Sequence, residues 1–507
     1  MAAKLFPLDI YPDGFQFEKR GRPRVGGLAG KKKVFLGYGA GQSGAAGQES
    51  IYIGYQAGYK NETGDLNIFI GNEAGYSNIS GSNNTFFGFR AGYLNTTGCG
   101  NTFTGHSAGY ANTVGYSNTF TGHSAGYANT TGNNNAFTGH YAGYSNTIGN
   151  HNTFTGHYAG YSNTTGDDNT FTGHYAGYSN TTGTHNTFIG YFAGFSNTES
   201  SNNTFIGYYA GRGNTAGEDN TFVGYYAGRA NTAGSNNIFI GYYAGRWNTE
   251  GCANTFIGHY AGTKNTEGED NTFIGYYAGY YNAIGNRNIF IGYFAGFSNA
   301  TGSCNTFIGY NAGRANTAGN NNTFIGYSAG YFETGNNKLY ISNSNITTPL
   351  IYGEFDNNLV EIQGCLGVGT RVFGTDAVNV LAVKNGTVPG SSPADSVQLY
   401  AEDVSASSEL KVRDEAGNIT TLSPHNFSLF SPDDEIEFPW SYHSINEYLG
   451  EEINVDMAGL VKAVEILTGK KFIYSRKLPK AQIIEEEKEV PQWLRQRIKK
   501  NELQLKN

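Results

Sequence analysis

The stretch from Asn152 to Asp168, NTFTGHYAGYSNTTGDD, decides the fold because close copies of it recur every 17 residues without insertion. Each copy has an aromatic residue at its third position, numbered 0 here, which runs from Phe35 to Phe324 in 17 steps and so gives 18 copies. A fixed period of this kind is typical of stacked coils, which bury their apolar faces only against neighbouring coils. The sequence predicts an all-β chain built on a parallel β-solenoid (β-roll) of 18 coils. The position-0 residues are Phe35, Tyr52, Phe69, Phe86, Phe103, Phe120, Phe137, Phe154, Phe171, Phe188, Phe205, Phe222, Phe239, Phe256, Phe273, Phe290, Phe307 and Phe324.

The amino-acid composition favours a fibrous protein over an enzyme. Of 507 residues, 73 are glycine and 38 are tyrosine, while hydrophobic residues make up 38% and charged residues 15%. Globular domains are usually richer in both classes, at about 45–50% and about 25%. The formal net charge of −8 argues against nucleic acid as a partner.

Neither a secretion signal nor a membrane-spanning segment is recognisable in the sequence. The N-terminal stretch MAAKLFPLDIYPDGF lacks an apolar signal core, and no run of 18 apolar residues occurs. We expect synthesis in the cytoplasm without a signal peptide, no membrane insertion, and a final site on a virion, a phage tail or the extracellular surface.

Cys99 and Cys252 occupy the same repeat position in coils that are nine apart, a distance of about 43 Å. A disulfide requires a Cα separation within about 7 Å, so these two cysteines cannot pair within one chain.

Side chains alternate between the two faces of a β-strand, which sorts the positions of each coil into two rows. One row holds Asn at −2, Phe at 0 and Gly at +2; the other holds Thr at −1, Ile or Thr at +1, Tyr or His at +3 and Ala at +5. Because the first row hardly varies between copies, we predict that it faces the interior, with stacked rings and hydrogen-bonded amides. The predicted interior ladder includes Phe103, Phe120, Phe137, Phe154, Phe171, Asn101, Asn118, Asn152 and Asn169.

Glycine and a second asparagine are predicted to shape the turns. Gly at +2 would leave room for the ring, and Gly at +6 and +12 would supply tight corners or positive φ angles. A second ladder of asparagine at +9, which includes Asn163 and Asn180, would fix the return turn. Each coil is thus expected to contain one good strand, such as NTFIGYY, and a shorter polar one.

The thin interior of such a coil favours association between chains. One large apolar anchor offsets little of the backbone entropy, which is about 1–2 kcal/mol per residue. Burial of the second row against the same row of other chains would supply apolar area, so we favour a homotrimer over a single-chain solenoid. The second row also changes character: Thr and His occupy +1 and +3 in the five coils from Thr104 to His174, and Ile or Val and Tyr occupy them from Phe188 onward, with His259 as an exception.

The period divides the chain into segments. Residues 1–34, with prolines and basic clusters, are predicted to be an irregular arm for attachment or subunit docking, and residues 35–334 form the repeat. Residues 335–373 are predicted to be a β-rich neck, since Tyr340 falls one residue short of the period. Residues 374–422 have the alternating strands and turn residues of a small β module.

The last segment, residues 423–507, has a different character. It begins with an acidic, aromatic stretch that we predict to be a loop, and two short helices are expected to follow. Asp456 is the predicted N-cap of the first helix and Gly469 its end, while Pro491 lies near the start of the second. We expect this segment to serve trimerisation or docking.

The repeat NTFIGYYAG, followed by NKLYISNSNITTPLIYGEF and LGVGT, resembles bacterial and phage fibre proteins. It is also similar in style to the Asn/Gly/Ile repeats of trimeric autotransporter heads, which are left-handed parallel β-rolls. The later stretch PADSVQLYAEDV to ELKVRDEAGNITTLSPHN is similar to distal modules of phage tail fibres. The resemblance implies a trimeric fibrous surface protein. The autotransporter repeat is shorter and no self-cleaving chaperone motif is recognisable, so neither self-secretion nor autoproteolysis is expected.

Three sets of side chains are candidates for binding. Histidines at +3 in five successive coils are potential ligands for Zn²⁺ or another transition metal, although Tyr at this position elsewhere makes packing the simpler interpretation. A tyrosine ladder and a set of arginines have the chemistry to stack on sugars or to contact other fibres, although a structural role is the more usual one for repeated aromatic residues. The three sets are His106, His123, His140, His157 and His174; Tyr141, Tyr158 and Tyr175; and Arg212, Arg229 and Arg246.

Two further patterns are weaker. Thr at −1 and +1, as at Thr153 and Thr155, would form a flat array of the kind that orders water on an ice-binding face. Acidic pairs such as Asp167 and Asp168 are suited to Ca²⁺ between coils, but they recur irregularly, so solvated turns are favoured. No catalytic triad order, phosphate-binding loop or paired carboxylates are recognisable, and we predict neither an enzymatic activity nor a bound cofactor.

These observations rank the possible functions. The leading hypothesis is a trimeric fibre of a phage tail, a tail-like particle or a surface appendage, which reaches and adheres to a glycan or protein receptor on a cell. One alternative is an extracellular filament, an end-to-end polymer joined through the N-terminal arm and the C-terminal domain. The other is a carbohydrate-binding or ice-binding solenoid.

Overall fold

A computed structural model of the chain shows an almost entirely β protein within the residues it describes, in two compact units, Met1–Glu361 and Ile362–Asn507. The first unit contains the 17-residue repeat, and the second contains smaller sheets. The described residues are 24–28, 31–43, 49–371, 380–389, 391, 393–394, 396–404, 407–422, 441–446, 451–456, 464 and 466–469.

Each coil of the repeat contributes one short strand centred on its position-0 aromatic residue. Neighbouring strands pair in parallel and in register, so that Phe154 lies between Phe137 and Phe171. The predicted parallel β-solenoid with a 17-residue period is therefore confirmed. The strands of the sheet that contains them are β1 Arg24–Leu28, β2 Lys31–Gly37, β3 Ile51–Ile53, β4 Ile68–Ile70, β5 Thr85–Phe87, β6 Thr102–Thr104, β7 Thr119–Thr121, β8 Ala136–Thr138, β9 Thr153–Thr155, β10 Thr170–Thr172, β11 Thr187–Ile189, β12 Thr204–Ile206, β13 Thr221–Val223, β14 Ile238–Ile240, β15 Thr255–Ile257, β16 Thr272–Ile274, β17 Ile289–Ile291, β18 Thr306–Ile308, β19 Thr323–Ile325, β20 Lys338–Ile341, β21 Ile351–Glu354 and β22 Leu359–Ile362.

The interior of the solenoid is a column of phenylalanine rings. From Phe69 to Phe324 these rings are fully buried, and successive ring centroids lie 4.6–4.9 Å apart. The column continues at Tyr340, which pairs with Phe324 after 16 residues instead of 17. Each ring loses its contact with water only because the coils on both sides cover it, which explains why the repeat is needed for burial.

Two ladders of buried asparagine flank the rings, and their side-chain amides form hydrogen bonds. At −2, Asn152 accepts a hydrogen bond from the backbone N–H of Asn169 at 3.0 Å and donates to the carbonyl of Gly166 at 2.8 Å. At +9, Asn163 donates to the side chain of Asn146 at 2.7 Å and to Gly166 at 3.0 Å. Burial of an amide is tolerated when its donors and acceptor are paired. Neighbouring coils are therefore joined at −2 through a side chain and the backbone, and at +9 through two side chains.

The assignment of Ala at +5 to the outer row was wrong. From Ala57 to Ala329 this alanine is fully buried beside the rings. The strand ends at +1, and Gly156 at +2 has a φ of 140°, so side chains no longer alternate after that point. The predicted second strand is also absent from the described coils between β3 and β19, where hydrogen-bonded turns fill the remainder of each coil.

The glycine at +6, and not the one at +2, makes room for the ring. A Cβ on Gly160 would lie 2.5 Å from two carbon atoms of the Phe154 ring. A Cβ on Gly156, at +2, would instead lie 2.4 Å from the carbonyl oxygen of Gly173 in the next coil. A Cβ on Gly166, at +12, would lie 2.4 Å from the carbonyl oxygen of Gly183 in the next coil although Gly166 has no positive φ, so the close approach of neighbouring coils requires glycine there.

Both ends of the parallel ladder are covered by an antiparallel strand. β1 pairs antiparallel with β2, and β21 pairs antiparallel with β20. The arm predicted for residues 1–34 therefore includes regular structure at Arg24–Leu28, while residues 1–23, with the first basic cluster, lie outside the described residues. Covered ends matter because an open strand edge is a template for pairing with another chain.

The second unit contains two sheets. β23, Leu366–Val368, pairs in parallel with β24, Leu381–Val383. The other sheet is antiparallel and has five strands in sequence order, namely β25 Gln398–Val404, β26 Ser407–Arg413, β27 Ile419–Thr421, β28 Ser441–Asn446 and β29 Glu451–Asp456.

The predicted C-terminal segment is partly strand. β28 occupies part of the stretch that was predicted to be a loop, and Asp456, the predicted helix N-cap, ends β29. Residues 464 and 466–468 are helical, as predicted for the first helix, whereas the second predicted helix lies outside the described residues. In the part of the chain that the structure describes, no helix has the length and apolar character needed to cross a membrane.

Candidate functional site

The turn after each strand presents aromatic side chains at positions +3, +4 and +7. The residue at +4 has a left-handed backbone, with a φ of 56° at Tyr158. Residues with large side chains rarely adopt this conformation, yet here it recurs in successive coils and aligns the side chains at +4 in a row. We call the side chains at +3, +4 and +7 of the coils centred on Phe137 to Phe290 the aromatic corner.

Rings of the aromatic corner contact each other along and across the coils. Tyr158 stacks on Tyr141 at 5.2 Å and on Tyr175 at 5.1 Å between ring centroids. It also meets His157 at 4.4 Å and Tyr161 at 5.2 Å. Aromatic pairs contribute about 0.5–1.5 kcal/mol beyond burial, which is comparable to the left-handed strain of about 1–2 kcal/mol. The three tyrosines predicted to form a binding surface thus lie in one stacked row.

The five predicted histidines form a second stacked row, at +3. Successive imidazole centroids from His106 to His174 lie 4.8–5.0 Å apart. Loss of hydration first, and the charges of neighbouring imidazoles second, lower the pKa of His140 and His157. Among the described residues, no three His, Cys, Asp or Glu side chains are placed to hold one metal ion. Metal binding by the row stays a prediction.

A further group of titratable side chains, at −3, was missed in the sequence. The Asp168 carboxylate lies 3.4 Å from Nδ1 of His151 and 3.6 Å from Nε2 of His185, in the coils on either side. The three residues are 17 positions apart in the sequence, and this spacing could have identified the group. All three side chains are well exposed, and surface ion pairs of this kind contribute only about 0–1 kcal/mol.

The predicted arginines occupy +7 in three successive coils. The guanidinium carbon of Arg212 lies 5.3 Å from the Tyr209 ring, and that of Arg246 lies 4.5 Å from the Tyr243 ring. Arginine over an aromatic ring is held by the negative potential of the ring face. The predicted tyrosine and arginine sets lie in different coils, so the structure does not bring them together, but both belong to the aromatic corner. The three arginines are Arg212, Arg229 and Arg246.

The outer side of the strands, with positions −1, +1 and +3, forms what we call the strand face. In the coils centred on Phe188 to Phe324 it carries mainly Ile and Tyr, and these side chains are substantially exposed: Ile240 by 38% and Tyr310 by 43%. In the coils centred on Phe103 to Phe171 it carries Thr and His. The change of character that the sequence predicted therefore lies on a solvent-facing surface.

The threonine and acidic patterns have their own geometry. Thr119, Thr121, Thr153 and Thr155 are exposed on the strand face in register, but Ala136 interrupts the array. Their water-ordering role stays a prediction.

Acidic turn residues such as Asp167 and Asp270 have partners within the chain. Asp167 accepts a hydrogen bond from the backbone of Asn150 at 2.6 Å, and the Asp270 carboxylate lies 3.9 Å from Arg287. These contacts give the carboxylates a structural role that needs no cation, and Ca²⁺ binding between coils stays a prediction.

Comparison of the chain with protein-family models, with curated proteins and with solved structures finds no match.

Proposed function

We propose that this protein is a non-enzymatic structural subunit of a phage-tail, tail-like or other surface fibre, in which three copies associate through their strand faces. A β-solenoid is compatible with such a structural role, and the single observation that carries the proposal is the exposed Ile and Tyr side chains of the strand face. Large apolar patches on a folded protein mark interaction surfaces. The fibre would hold an attachment surface at a distance from its anchor.

The size of the strand face matches a stable interface. Over 18 coils it has 17 intervals of about 4.8 Å and a width of about 13 Å, which gives about 1,000 Å². Specific protein interfaces bury about 800 Å² per partner. The face of one chain is thus about the size of one such interface, and each of the two contacts that a chain makes in a trimer would use about half of it.

The order of side chains along the strand face favours parallel, in-register association. In that arrangement the Thr and His coils centred on Phe103 to Phe171 face their own kind, and so do the Ile and Tyr coils centred on Phe188 to Phe324. An antiparallel pair with full overlap would place the Thr and His coils against Ile and Tyr coils. Loss of apolar burial and of water around imidazoles makes that pairing less favourable.

The covered ends of the ladder favour a discrete fibre over an end-to-end polymer. β1 and β21 occupy the edges through which stacked coils of two chains would otherwise continue the parallel sheet. Electron microscopy of the purified protein separates the alternatives, because particles of one length support a fibre and polymers of indefinite length support a filament.

Substitutions on the strand face test the assembly directly. Ile206 and Ile308 are 36% and 37% exposed at +1, and Ile206→Lys combined with Ile308→Lys introduces two charges into the proposed interface. The matched control, Ala216→Lys with Ala318→Lys, adds the same charges at exposed positions of the same two coils. We expect the isoleucine variant to dissociate to folded monomers and the control to stay associated. Equal masses for both variants would contradict the proposed interface.

A further inference from the structure

The row of three arginines carries positive charge that the described chain does not balance. Arg212, Arg229 and Arg246 occupy the same position in successive coils, so their guanidinium groups repeat at about 4.8 Å. In the described residues, no carboxylate forms a salt bridge with any of the three. Like charges at this spacing repel one another, and an anion beside the row would relieve that repulsion.

Two other arginines of the repeat, Arg90 and Arg287, have acidic neighbours. The Nε atom of Arg90 lies 2.6 Å from a carboxylate oxygen of Glu73, one coil earlier, and that of Arg287 lies 3.9 Å from Asp270. The repeat therefore accommodates arginine with a carboxylate one coil away. The arginine row differs because, in the described residues, its neighbours include aromatic rings and no carboxylate in a salt bridge.

Aromatic rings cover the Nε edge of each guanidinium group. The Nε atoms of all three arginines are buried and have no hydrogen-bond partner among the described residues. The guanidinium carbons lie 4.5–5.3 Å from the ring centroid of the tyrosine three residues earlier in the sequence. The terminal Nη groups are the remaining donors, and a planar guanidinium pairs well with a carboxylate or a sulfate.

We propose that the arginine row binds an acidic polysaccharide that lies along the solenoid. One carboxylate or sulfate would meet each arginine, because the coil spacing is close to the length of one pyranose residue in an extended chain. The exposed ring of Trp247, which lies outside the strand face and contacts Arg246, would pack against the apolar face of a sugar. This inference rests on the proposed role as a surface fibre and names an anionic glycan as the class of receptor.

The test uses polygalacturonate, which carries one carboxylate per sugar, and the full-length chain at low salt. We expect Arg229→Gln with Arg246→Gln to weaken binding by at least about tenfold. The matched control is Arg90→Gln with Arg287→Gln, which removes the same charge from arginines that have carboxylate neighbours, and it should bind like the original chain. Glutamine is compatible with the turn because Thr263 occupies position +7 in another coil.

Each other outcome has a defined meaning. Unchanged affinity in the Arg229→Gln/Arg246→Gln variant, an equal loss in the control, or no binding by the original chain would overturn the inference. Equal affinity for neutral dextran would remove the role of charge, and equal affinity for polyglutamate or for single-stranded polyadenylate would remove the role of the sugar. The native mass of each sample is measured in parallel. An associated protein that does not bind overturns this inference alone, whereas a monomer that binds overturns the proposed assembly alone.

Discussion

Single glycine residues affect the stability of a coil mainly through the space that they leave for neighbouring atoms. Gly160 and Gly100 both have left-handed backbones, with φ angles of 58° and 67°. They differ in surroundings, since a Cβ on Gly160 would lie 2.5 Å from the Phe154 ring, whereas a Cβ on Gly100 would have no neighbour nearer than 3.7 Å. The pair therefore separates steric exclusion by the ring from the cost of backbone conformation.

Gly160→Ala should destabilise its coil more than Gly100→Ala destabilises its own. Both variants carry the left-handed strain, so the difference reports the overpacked ring, for which we expect about 1–3 kcal/mol. Native-state hydrogen exchange is the suitable measurement because it resolves the opening of individual coils. Equal losses in the two variants would show that the ring column yields to an added methyl group.

Residue-level prediction from the sequence succeeded where the strand geometry applies and failed beyond it. Phe at 0 and Asn at −2 were placed correctly, because alternation holds from −2 to +1. Ala at +5 was misplaced because Gly156 and its equivalents break the alternation at +2, and Tyr158 and its equivalents then adopt a left-handed backbone that tyrosine seldom shows. The aromatic and arginine positions were found from their period, but their mutual contacts depend on that turn.

At the scale of the coil, hydrogen bonds in the turns replace the second strand that the sequence suggested. The backbone N–H of Tyr158 donates to His140 in the preceding coil at 3.0 Å, and that of Gly160 donates to Ala176 in the following coil at 2.9 Å. The turns are thus hydrogen-bonded to both neighbouring coils, as the strands are. This continuity places identical positions one above another and allows side chains such as the imidazoles to stack.

The histidine row should make stability depend on pH. Because the pKa values of His140 and His157 are lowered in the folded chain, protonation favours the unfolded state. The contribution of the two neutral histidines to the free energy of unfolding is therefore fully present above the ordinary imidazole pKa of about 6.5 and is lost as the pH falls below it. We expect the melting temperature at fixed protein concentration to fall between pH 8 and pH 5.

The double variant His140→Tyr and His157→Tyr provides the comparison, since Tyr191 occupies the same position in a later coil. The rings that contact these two histidines belong to other histidines and tyrosines, namely His123, His174, Tyr141, Tyr158 and Tyr175. The variant should lose less stability on acidification than the original chain. An identical pH profile for both proteins would assign the acid sensitivity to other groups.

At the scale of the whole molecule, the blocks of the strand face connect the fold to the proposed assembly. The sequence located the change from Thr and His to Ile and Tyr at Phe188, and the structure shows that both blocks face solvent. The extent of exposure, such as 38% for Ile240, could not be read from the pattern because it depends on where the strand ends. Exposed apolar area along the strand face is the physical reason to expect partner chains.

We propose that the solenoid assembles as a homotrimer, and the native mass of the 507-residue chain distinguishes a trimer from a single chain. Native mass spectrometry, supported by light scattering at several protein concentrations, reads the number of copies without substitution or label. We expect a single species of three times 54.7 kDa. A species of 54.7 kDa that persists at the highest concentration would contradict it.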